Sequence, residues 1–275
     1  MSFSEAWALG FPEGMWILLV VAAVMSAVGF YKFVYFLSVG YGFAVAGIGV
    51  TLFVMFGKGM GFACAALCAI FIIYGIRLGG FLLFREIKNS TYRKTLEAAT
   101  KTEKKMPVFV MATIWISVAV LYVMQTSPVF YRLANGTQGG VMPIVGAAIM
   151  AVALVIEAVA DKQKSASKAK NPKRFCDEGL YKIVRCPNYF GEILFWTGVL
   201  VSGFGSLTGA VQWTVALLGY VLIVYVMFSG AKRLEMRQNK NYGDSEEYRE
   251  YVKKTPIILP LIPIYSVIDW KFIVA

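Results

Sequence analysis

Residues 61–84 read GFACAALCAIFIIYGIRLGGFLLF, an apolar run in which Arg77 is the one charged side chain. A helix of about 20 apolar residues crosses a hydrocarbon core about 30 Å thick. Similar runs recur along the 275 residues, of which 58% are hydrophobic and 16% charged. Soluble domains have about a quarter of their residues charged. The sequence therefore predicts an all-α, polytopic membrane protein.

Seven transmembrane helices are predicted, at about 15–36, 39–56, 61–84, 107–125, 142–160, 189–206 and 211–230. Lys and Arg concentrate in three connecting segments with net charges of +4 (85–105), +5 (161–185) and +2 (232–254). Because such segments stay cytoplasmic, the three share one side of the membrane. They follow the third, fifth and seventh spans, so seven spans place the N-terminus outside and the C-terminus in the cytosol. Residues 1–275 would form a single transmembrane domain.

Composition also excludes several functions. The net charge of +11 lies in short segments between apolar runs, where it orients helices and meets anionic membrane lipids, so we expect no nucleic-acid partner. The absence of histidine excludes a Ser-His-Asp triad and His-ligated metals, and no metal site is predicted. The four cysteines, which we expect to be reduced and unpaired, are Cys64, Cys68, Cys176 and Cys186.

The two ends of the chain carry predictions of their own. The first residues lack a basic start, and the following apolar run is too long for a cleaved signal peptide, so it is interpreted as a retained helix. In the tail from 255 to 275, Pro256, Pro260 and Pro263 rule out a continuous helix. We expect the tail to lie at the interface or to fold back over the cytosolic mouth.

Arg77, Glu157, Asp161 and Glu192 are among the ionisable residues that fall within or at the ends of the predicted spans. Such groups are costly in lipid, which makes Arg77 and Glu192 candidates for function. Glu157 and Asp161 lie one helical turn apart at a helix end. There, charges also snorkel or pair with another helix, and the sequence favours neither interpretation.

The richest stretch, from Arg174 to Glu192, reads RFCDEGLYKIVRCPNYFGE. It closely resembles the signature of the membrane steroid 5α-reductase family (3-oxo-5α-steroid 4-dehydrogenase C-terminal domain-like), including its branch of uncharacterised bacterial proteins. It is more distantly similar to isoprenylcysteine carboxyl methyltransferases. The resemblance extends to EAVADKQK at 157–164, to Tyr-x-x-Tyr-x-x-x-Thr-Pro at 248–256 and to YGIRLGGF at 74–81. It covers 61–275 and leaves 1–60 as divergent N-terminal helices.

The resemblance implies a reductase that binds NADPH in a cavity open to the cytosol. Arginine forks suit the phosphates, and Asn188 and Glu192, one turn apart, suit a carboxamide or ribose hydroxyls. Pro187 is expected at or just before a helix start. No GxGxxG follows a strand, so the helices and their loops must hold the cofactor. The implied cofactor-binding residues are Arg85, Asp161, Lys164, Arg174, Arg185, Asn188, Tyr189, Glu192, Tyr248 and Lys253.

For chemistry, the resemblance implies hydride transfer to the β-carbon of an enone whose carbonyl oxygen receives a hydrogen bond. Tyr74 matches the family's tyrosine by its spacing to Arg77, and both are candidate catalytic residues, although Tyr74 fits equally well as a packing aromatic. The family's second-span glutamate has no counterpart, because no acid occurs between Glu13 and Glu86. Cys186 stands where the bacterial branch and the methyltransferases usually have histidine, which weakens the resemblance to a methyltransferase.

Three functions therefore stay open. The leading one is NAD(P)H-dependent reduction of a C=C bond conjugated to a ketone in a steroid or other lipophilic substrate that arrives from the membrane. The others are lipid methylation using S-adenosylmethionine and lipid binding by an inactive protein of the same fold. The expected location is the bacterial inner membrane, or the endoplasmic reticulum in a eukaryote.

Overall fold

Helices account for all the regular secondary structure in the computed structural model, which describes residues 11–88 and 107–274. Three short 3-10 segments occur, at Ala27–Phe30, Phe33–Leu37 and Gly179–Lys182. The α-helices are α1 (Glu13–Ser26), α2 (Val39–Phe56), α3 (Phe62–Lys88), α4 (Val108–Ala134), α5 (Met142–Lys170), α6 (Pro187–Gly203), α7 (Gly209–Tyr242) and α8 (Glu246–Lys254).

Six helical segments in the described residues are long and apolar enough to cross a membrane. They are Glu13–Phe30, Phe33–Phe56 and the helices α3, α4, α5 and α7. The predicted all-α, polytopic fold is thus confirmed. Helix α6 falls on the sixth predicted span but has only 17 residues, so the count of seven and the orientation stay predictions.

The first predicted span, 15–36, is not one helix. Helix α1 ends at Ser26, and two 3-10 segments follow. A Cβ at Gly29 would lie 2.0 Å from the ring of Phe36, so the chain turns back tightly here and only glycine fits. The Ser26 hydroxyl donates to the carbonyl of Ala22 (2.7 Å), a bond that competes with the helix ladder. Hydropathy stays high across the break, and for that reason the sequence pattern missed it.

Other helices run past their predicted ends. Helix α4 continues through Pro128 to Ala134, into a stretch that was predicted as a connection. Helix α5 reaches Lys170 and α7 reaches Tyr242, each two or more turns beyond the apolar run. Hydropathy marks the part of a helix that contacts lipid, whereas the helix itself continues into the basic segments.

The chain forms two compact units, which are described separately. The first consists of Met1–Ala147 and Val199–Tyr220. Glycines let α2 and α3 pack with their backbones close together: a Cβ at Gly42 would lie 2.8 Å from the Gly75 oxygen and from the Gly79 nitrogen. A Cβ at Gly49 would lie 2.9 Å from the carbonyl of Cys68. Small residues at such contacts are typical of helices packed in lipid.

Arg132, predicted to lie in a connection, is a buried side chain in the last turn of α4. Its Nε donates to the Ser202 carbonyl (2.5 Å) and its Nη2 to the Phe204 carbonyl (2.6 Å), while Nη1 donates to the carbonyls of Thr137 and Gly139. Helix C-termini leave carbonyls without partners and carry partial negative charge. Arg132 therefore ties the end of α4 to the end of α6 within the first unit.

The second unit consists of Ala148–Gly198 and Val221–Ala275. The segment after α8 is not helical in its described part, as its prolines predicted, and it folds back onto this unit. The amide of Arg185 donates to the Pro256 carbonyl and that of Cys186 to the Ile257 carbonyl, both at 2.8 Å. The core comprises Cys186, Ile193, Ala231, Leu234, Ile257, Ile258 and Val267. All four cysteines are buried and free, including Cys176 and Cys186 of the segment between α5 and α6.

Candidate functional site

The first two turns of α6 carry the residues that the sequence motif singled out. Pro187 is the first residue of the helix, as predicted, where its missing N–H costs nothing. The Oδ1 atom of Asn188 is buried and has no hydrogen-bond partner among the described residues. One turn later the buried carboxylate of Glu192 accepts a hydrogen bond from Trp196 Nε1 (3.2 Å). Asn188 and Glu192 thus lie on one face, as their spacing predicted.

Tyr189 lies beside them and faces a glycine of α7. A Cβ at Gly230 would come within 3.2 Å of the ring Cζ and 3.3 Å of the hydroxyl oxygen of Tyr189. A larger residue at 230 would therefore displace the ring. Gly230 therefore leaves room for the Tyr189 ring, a role that the sequence did not indicate.

Helix α5 brings a second set of charged groups to the same region. Glu157, Asp161 and Lys164 recur at helical spacing and so share one face of α5. A Cβ at Gly191 would lie 2.5 Å from Cγ of Glu157, which shows how closely α5 approaches the start of α6.

Electrostatics link this face of α5 to the residues around it. Burial raises the pKa of the Cys186 thiol to about 12, against an opposing effect of Lys164. Burial likewise raises the pKa of Tyr181, and the charge of Asp161 adds to that shift. Lys164 and Asp161 therefore lie within electrostatic reach of the segment that leads into α6.

Arg185 forms a buried ion pair that the sequence analysis did not foresee. Its Nη2 lies 2.7 Å from Oε1 of Glu235 on α7, and both side chains are 1% exposed. The other Glu235 oxygen accepts from the amide of Val267 (3.0 Å), and Arg185 Nη2 also donates to the Tyr265 carbonyl. The Nε and Nη1 atoms of Arg185 are buried without a hydrogen-bond partner in the described part of the chain. Glu235 lies among Lys232, Arg233 and Arg237 in the sequence, and no local pattern reveals a partner 50 positions away.

Tyr248, another predicted cofactor residue, is buried near this pair. Its hydroxyl donates to Oδ1 of Asn239 (2.9 Å). Burial raises the pKa of Tyr248 to about 12, and Arg185 opposes that shift. The structure thus brings Arg185, Tyr248 and the motif of α6 together in the second unit.

Two other predicted cofactor residues, Arg174 and Lys253, are more exposed. Arg174 donates to both carboxylate oxygens of Asp177 (2.6 and 2.9 Å) and to Glu247 (2.5 Å). These hydrogen bonds raise the pKa of Arg174, with the bond to Asp177 contributing most. Lys253 pairs with Glu250 at 3.2 Å, and its side chain is 72% exposed. Both cations already face carboxylates, so a phosphate would have to share them.

Tyr74, Arg77 and Arg85 lie on α3 in the first unit. Tyr74 is fully buried, and its ring packs edge-on against Tyr41 with 6.0 Å between centroids. The Arg85 guanidinium lies 5.5 Å from the ring centre of Phe81.

The first unit also contains a buried acid, although it does not come from the second span. Glu86, near the end of α3, accepts hydrogen bonds from Lys32 and from the Tyr35 hydroxyl. In the sequence, Glu86 stands out only as one of the three acids of the basic segment 85–105.

Two shallow cavities open at the surface of the second unit. The larger, of about 260 Å³, is lined by Asp177, Lys182, Glu250, Tyr251, Lys254 and Thr255. The smaller, of about 180 Å³, lies beside Arg174 and Tyr242. Pockets that enclose small ligands usually measure about 300–1,000 Å³. Asn188 and Glu192 line neither of these two cavities.

Comparison with known proteins gives a family. Residues 21–255 match a family described as "Protein of unknown function (DUF1295)". The chain belongs to this family. No curated protein and no solved structure matches the sequence. The family description names no activity, so function has to be inferred from the residues and their geometry.

Proposed function

We propose that the protein is an NAD(P)H-dependent membrane reductase that reduces a C=C bond conjugated to a ketone in a lipophilic, steroid-like substrate. The proposal rests on the resemblance of the stretch 174–192 to the steroid 5α-reductase signature. One structural observation supports the proposal above the others. The Oδ1 atom of Asn188, at the start of α6, is buried and has no hydrogen-bond partner in the described residues. A buried acceptor without a partner costs about 1–3 kcal/mol, and a ligand that donates to it would recover that cost.

The residues at the start of α6 fit part of a nicotinamide dinucleotide. Asn188 offers an acceptor to a carboxamide or a ribose hydroxyl, and Glu192, one turn later, offers a carboxylate. The N-terminus of α6 presents amide groups and a positive dipole end, which favour a phosphate. Lys164 adds positive charge close by. These donors and acceptors suit a neutral head group beside a phosphate better than they suit a metal ion.

Arg185 has a narrower role in this proposal than a phosphate clamp. Glu235 already balances its charge, so Arg185 positions the chain that enters α6 and lends its remaining donors to a neutral acceptor. Arg174 and Lys253 would contribute only at the rim, because each is already paired with a carboxylate.

The bound cofactor supplies a hydride, and the protein must polarise the substrate carbonyl. We assign that task to Tyr74, whose hydroxyl would donate to the oxygen of the developing enolate. Arg77, one turn further along α3, would stabilise the negative charge. The family's second-span glutamate is absent, so Tyr74 would depend on other groups of the first unit.

The membrane arrangement is part of the proposal. We infer seven spans with α6 as the short sixth, the N-terminus outside and the three basic segments in the cytosol, where NADPH is available. The bacterial inner membrane is the inferred location. The substrate would enter from the lipid.

The test is turnover by protein purified in nanodiscs. NADPH oxidation should depend on a 3-oxo-Δ4 steroid, and mass spectrometry should find a product about two mass units heavier than the substrate, since reduction adds one hydride and one proton. Tyr74→Phe should lower kcat at least about tenfold, which corresponds to about 1.4 kcal/mol, and leave NADPH binding unchanged. Folded protein that binds S-adenosylmethionine and not NADPH would overturn the proposal in favour of lipid methylation.

A further inference from the structure

Residues 270–274 pack beside α7 at the point where that helix changes from apolar to charged. From Gly209 to Ala231 the helix has no charged side chain, and Lys232 and Arg233 then begin a basic stretch. Such a change marks the boundary between hydrocarbon and water along a membrane helix. Tyr225 lies about two turns before Lys232, and at about 1.5 Å per residue this places it about 10 Å deeper.

Three polar side chains on one face of α7 bond to this segment: Tyr225, Ser229 and Lys232. The Tyr225 hydroxyl donates to the Phe272 carbonyl (3.3 Å) and accepts from the Val274 amide (3.2 Å). The Ser229 hydroxyl donates to the carbonyl of Val274.

Lys232 completes the set at the boundary itself. Its ammonium group donates to the carbonyls of Trp270 (2.9 Å) and Ile273 (3.0 Å). Together, the three side chains satisfy four carbonyls and one amide of a backbone that is not helical. We call them the α7 polar ladder.

Such a ladder stabilises a non-helical backbone most where water is scarce. A non-helical backbone in water finds hydrogen bonds in the solvent, whereas each polar group left without a partner in hydrocarbon costs several kcal/mol. Irregular backbone at membrane depth is therefore found where protein groups satisfy it.

The side chains of the segment match this environment. Phe272 is 68% exposed and Val274 is 67% exposed, while Ile273 is buried. Trp270 stacks between Phe228 and Phe272, with centroid distances of 5.8 and 5.3 Å. Aromatic residues of this kind concentrate where lipid meets water.

We propose that residues 270–274 re-enter the bilayer along α7, with lipid acyl chains covering Phe272 and Val274 and with Trp270 near the head groups. Lys271 can reach the interface by extending its side chain. The inference goes beyond the proposed reductase activity and does not depend on it.

The experiment places an NBD fluorophore on single cysteines, Phe272→Cys and Val274→Cys, in a background where the four native cysteines are alanine. Asp244→Cys, in the exposed turn between α7 and α8, is the matched control. Protein in nanodiscs is titrated with aqueous iodide and, separately, with nitroxide-labelled lipid. We expect iodide quenching at 272 and 274 to be at least about fivefold weaker than at 244, with strong quenching by the lipid nitroxide.

Equal iodide quenching at all three positions would overturn the proposal. Tyr225→Phe combined with Ser229→Ala removes two of the three side chains of the α7 polar ladder as donors and should give iodide access to position 274.

If the cysteine-free background does not fold, brominated lipid can be used on otherwise native protein. The contribution of Trp270 to the emission is the part that is missing from Trp270→Phe, and the brominated lipid should quench this part strongly. If bromine leaves it unquenched, the result contradicts the proposal that residues 270–274 lie in the bilayer. No cofactor enters either readout, so the result is independent of the test of reductase activity.

Discussion

The buried ion pair between Arg185 and Glu235 gives the sharpest prediction about stability. Glu235→Gln keeps the size of the side chain and removes its charge, leaving a 1% exposed guanidinium without its carboxylate. Removing one partner of a buried pair costs about 3–5 kcal/mol. The carboxamide introduced at position 235 can still accept from the Val267 amide, so most of the loss comes from the uncompensated charge on Arg185. The unfolding equilibrium should therefore shift by about two to three and a half powers of ten.

The assay is equilibrium unfolding in mixed micelles, followed by circular dichroism, with Glu250→Gln as the control. Glu250 also pairs with lysines, but those pairs are exposed, and exposed pairs contribute little. We expect Glu250→Gln to unfold like the parent protein.

A double variant separates the pair from the packing around it. Replacing both partners of a buried pair with apolar residues is often neutral or stabilising, so Arg185→Met with Glu235→Leu should recover most of the loss. The reasoning is refuted if Glu235→Gln unfolds like Glu250→Gln. It is also refuted if the free energy of unfolding lost in the double variant equals the sum of the losses in Arg185→Met and Glu235→Leu.

Three further predictions follow from the contacts. Gly75→Leu should prevent α2 and α3 from packing, because a Cβ at position 75 would lie 2.2 Å from the Gly42 oxygen. Gly80→Leu should be tolerated, because a Cβ at position 80 would have no atom within 4 Å. Size-exclusion profiles of the two variants check this prediction. Arg132→Met should lower the midpoint of thermal unfolding, because it removes the donor to the Ser202 and Phe204 carbonyls at the end of α6 and to the carbonyls of the turn after α4. Arg132→Lys, which keeps the charge without the planar fork, should restore only a part of the loss. The Cys186 thiol has a pKa raised to about 12 from an ordinary value of 9.0, so its contribution to stability is complete below the ordinary pKa and is lost as pH rises towards the raised one. Unfolding measured from about pH 8 to about pH 12 should show this loss, and Cys186→Ala should lessen it; an identical pH profile for the two proteins would contradict the assignment.

The spans and the first two turns of α6 could be predicted because their signals are local. The run 39–56 coincides with α2 since it is apolar throughout its length and has no charged residue, and Asn188 and Glu192 share a face since helical spacing requires it. The break after Ser26 escaped prediction because it depends on Phe36 packing against Gly29, and neither residue lowers the hydropathy.

The pairing of charges could not be derived from the sequence. Arg174 was expected to meet a phosphate, yet Glu247, 73 positions away, bonds to it. Arg185 was assigned to the cofactor, and Glu235 reaches it only because α7 passes beside the entry to α6. Local pattern identifies which groups carry charge, whereas the tertiary fold decides which of those charges are already matched.

Binding of NADPH at the start of α6 tests the central claim most directly. NADPH and S-adenosylmethionine are titrated separately into protein in nanodiscs by calorimetry, with Asn188→Ala and the surface variant Lys170→Ala beside the parent. We predict binding of NADPH, a loss of about tenfold in affinity for Asn188→Ala because one buried hydrogen bond is worth about 0.5–1.5 kcal/mol, and no change for Lys170→Ala. Folded protein that does not bind NADPH, or that binds it equally well with alanine at 188, would contradict the account.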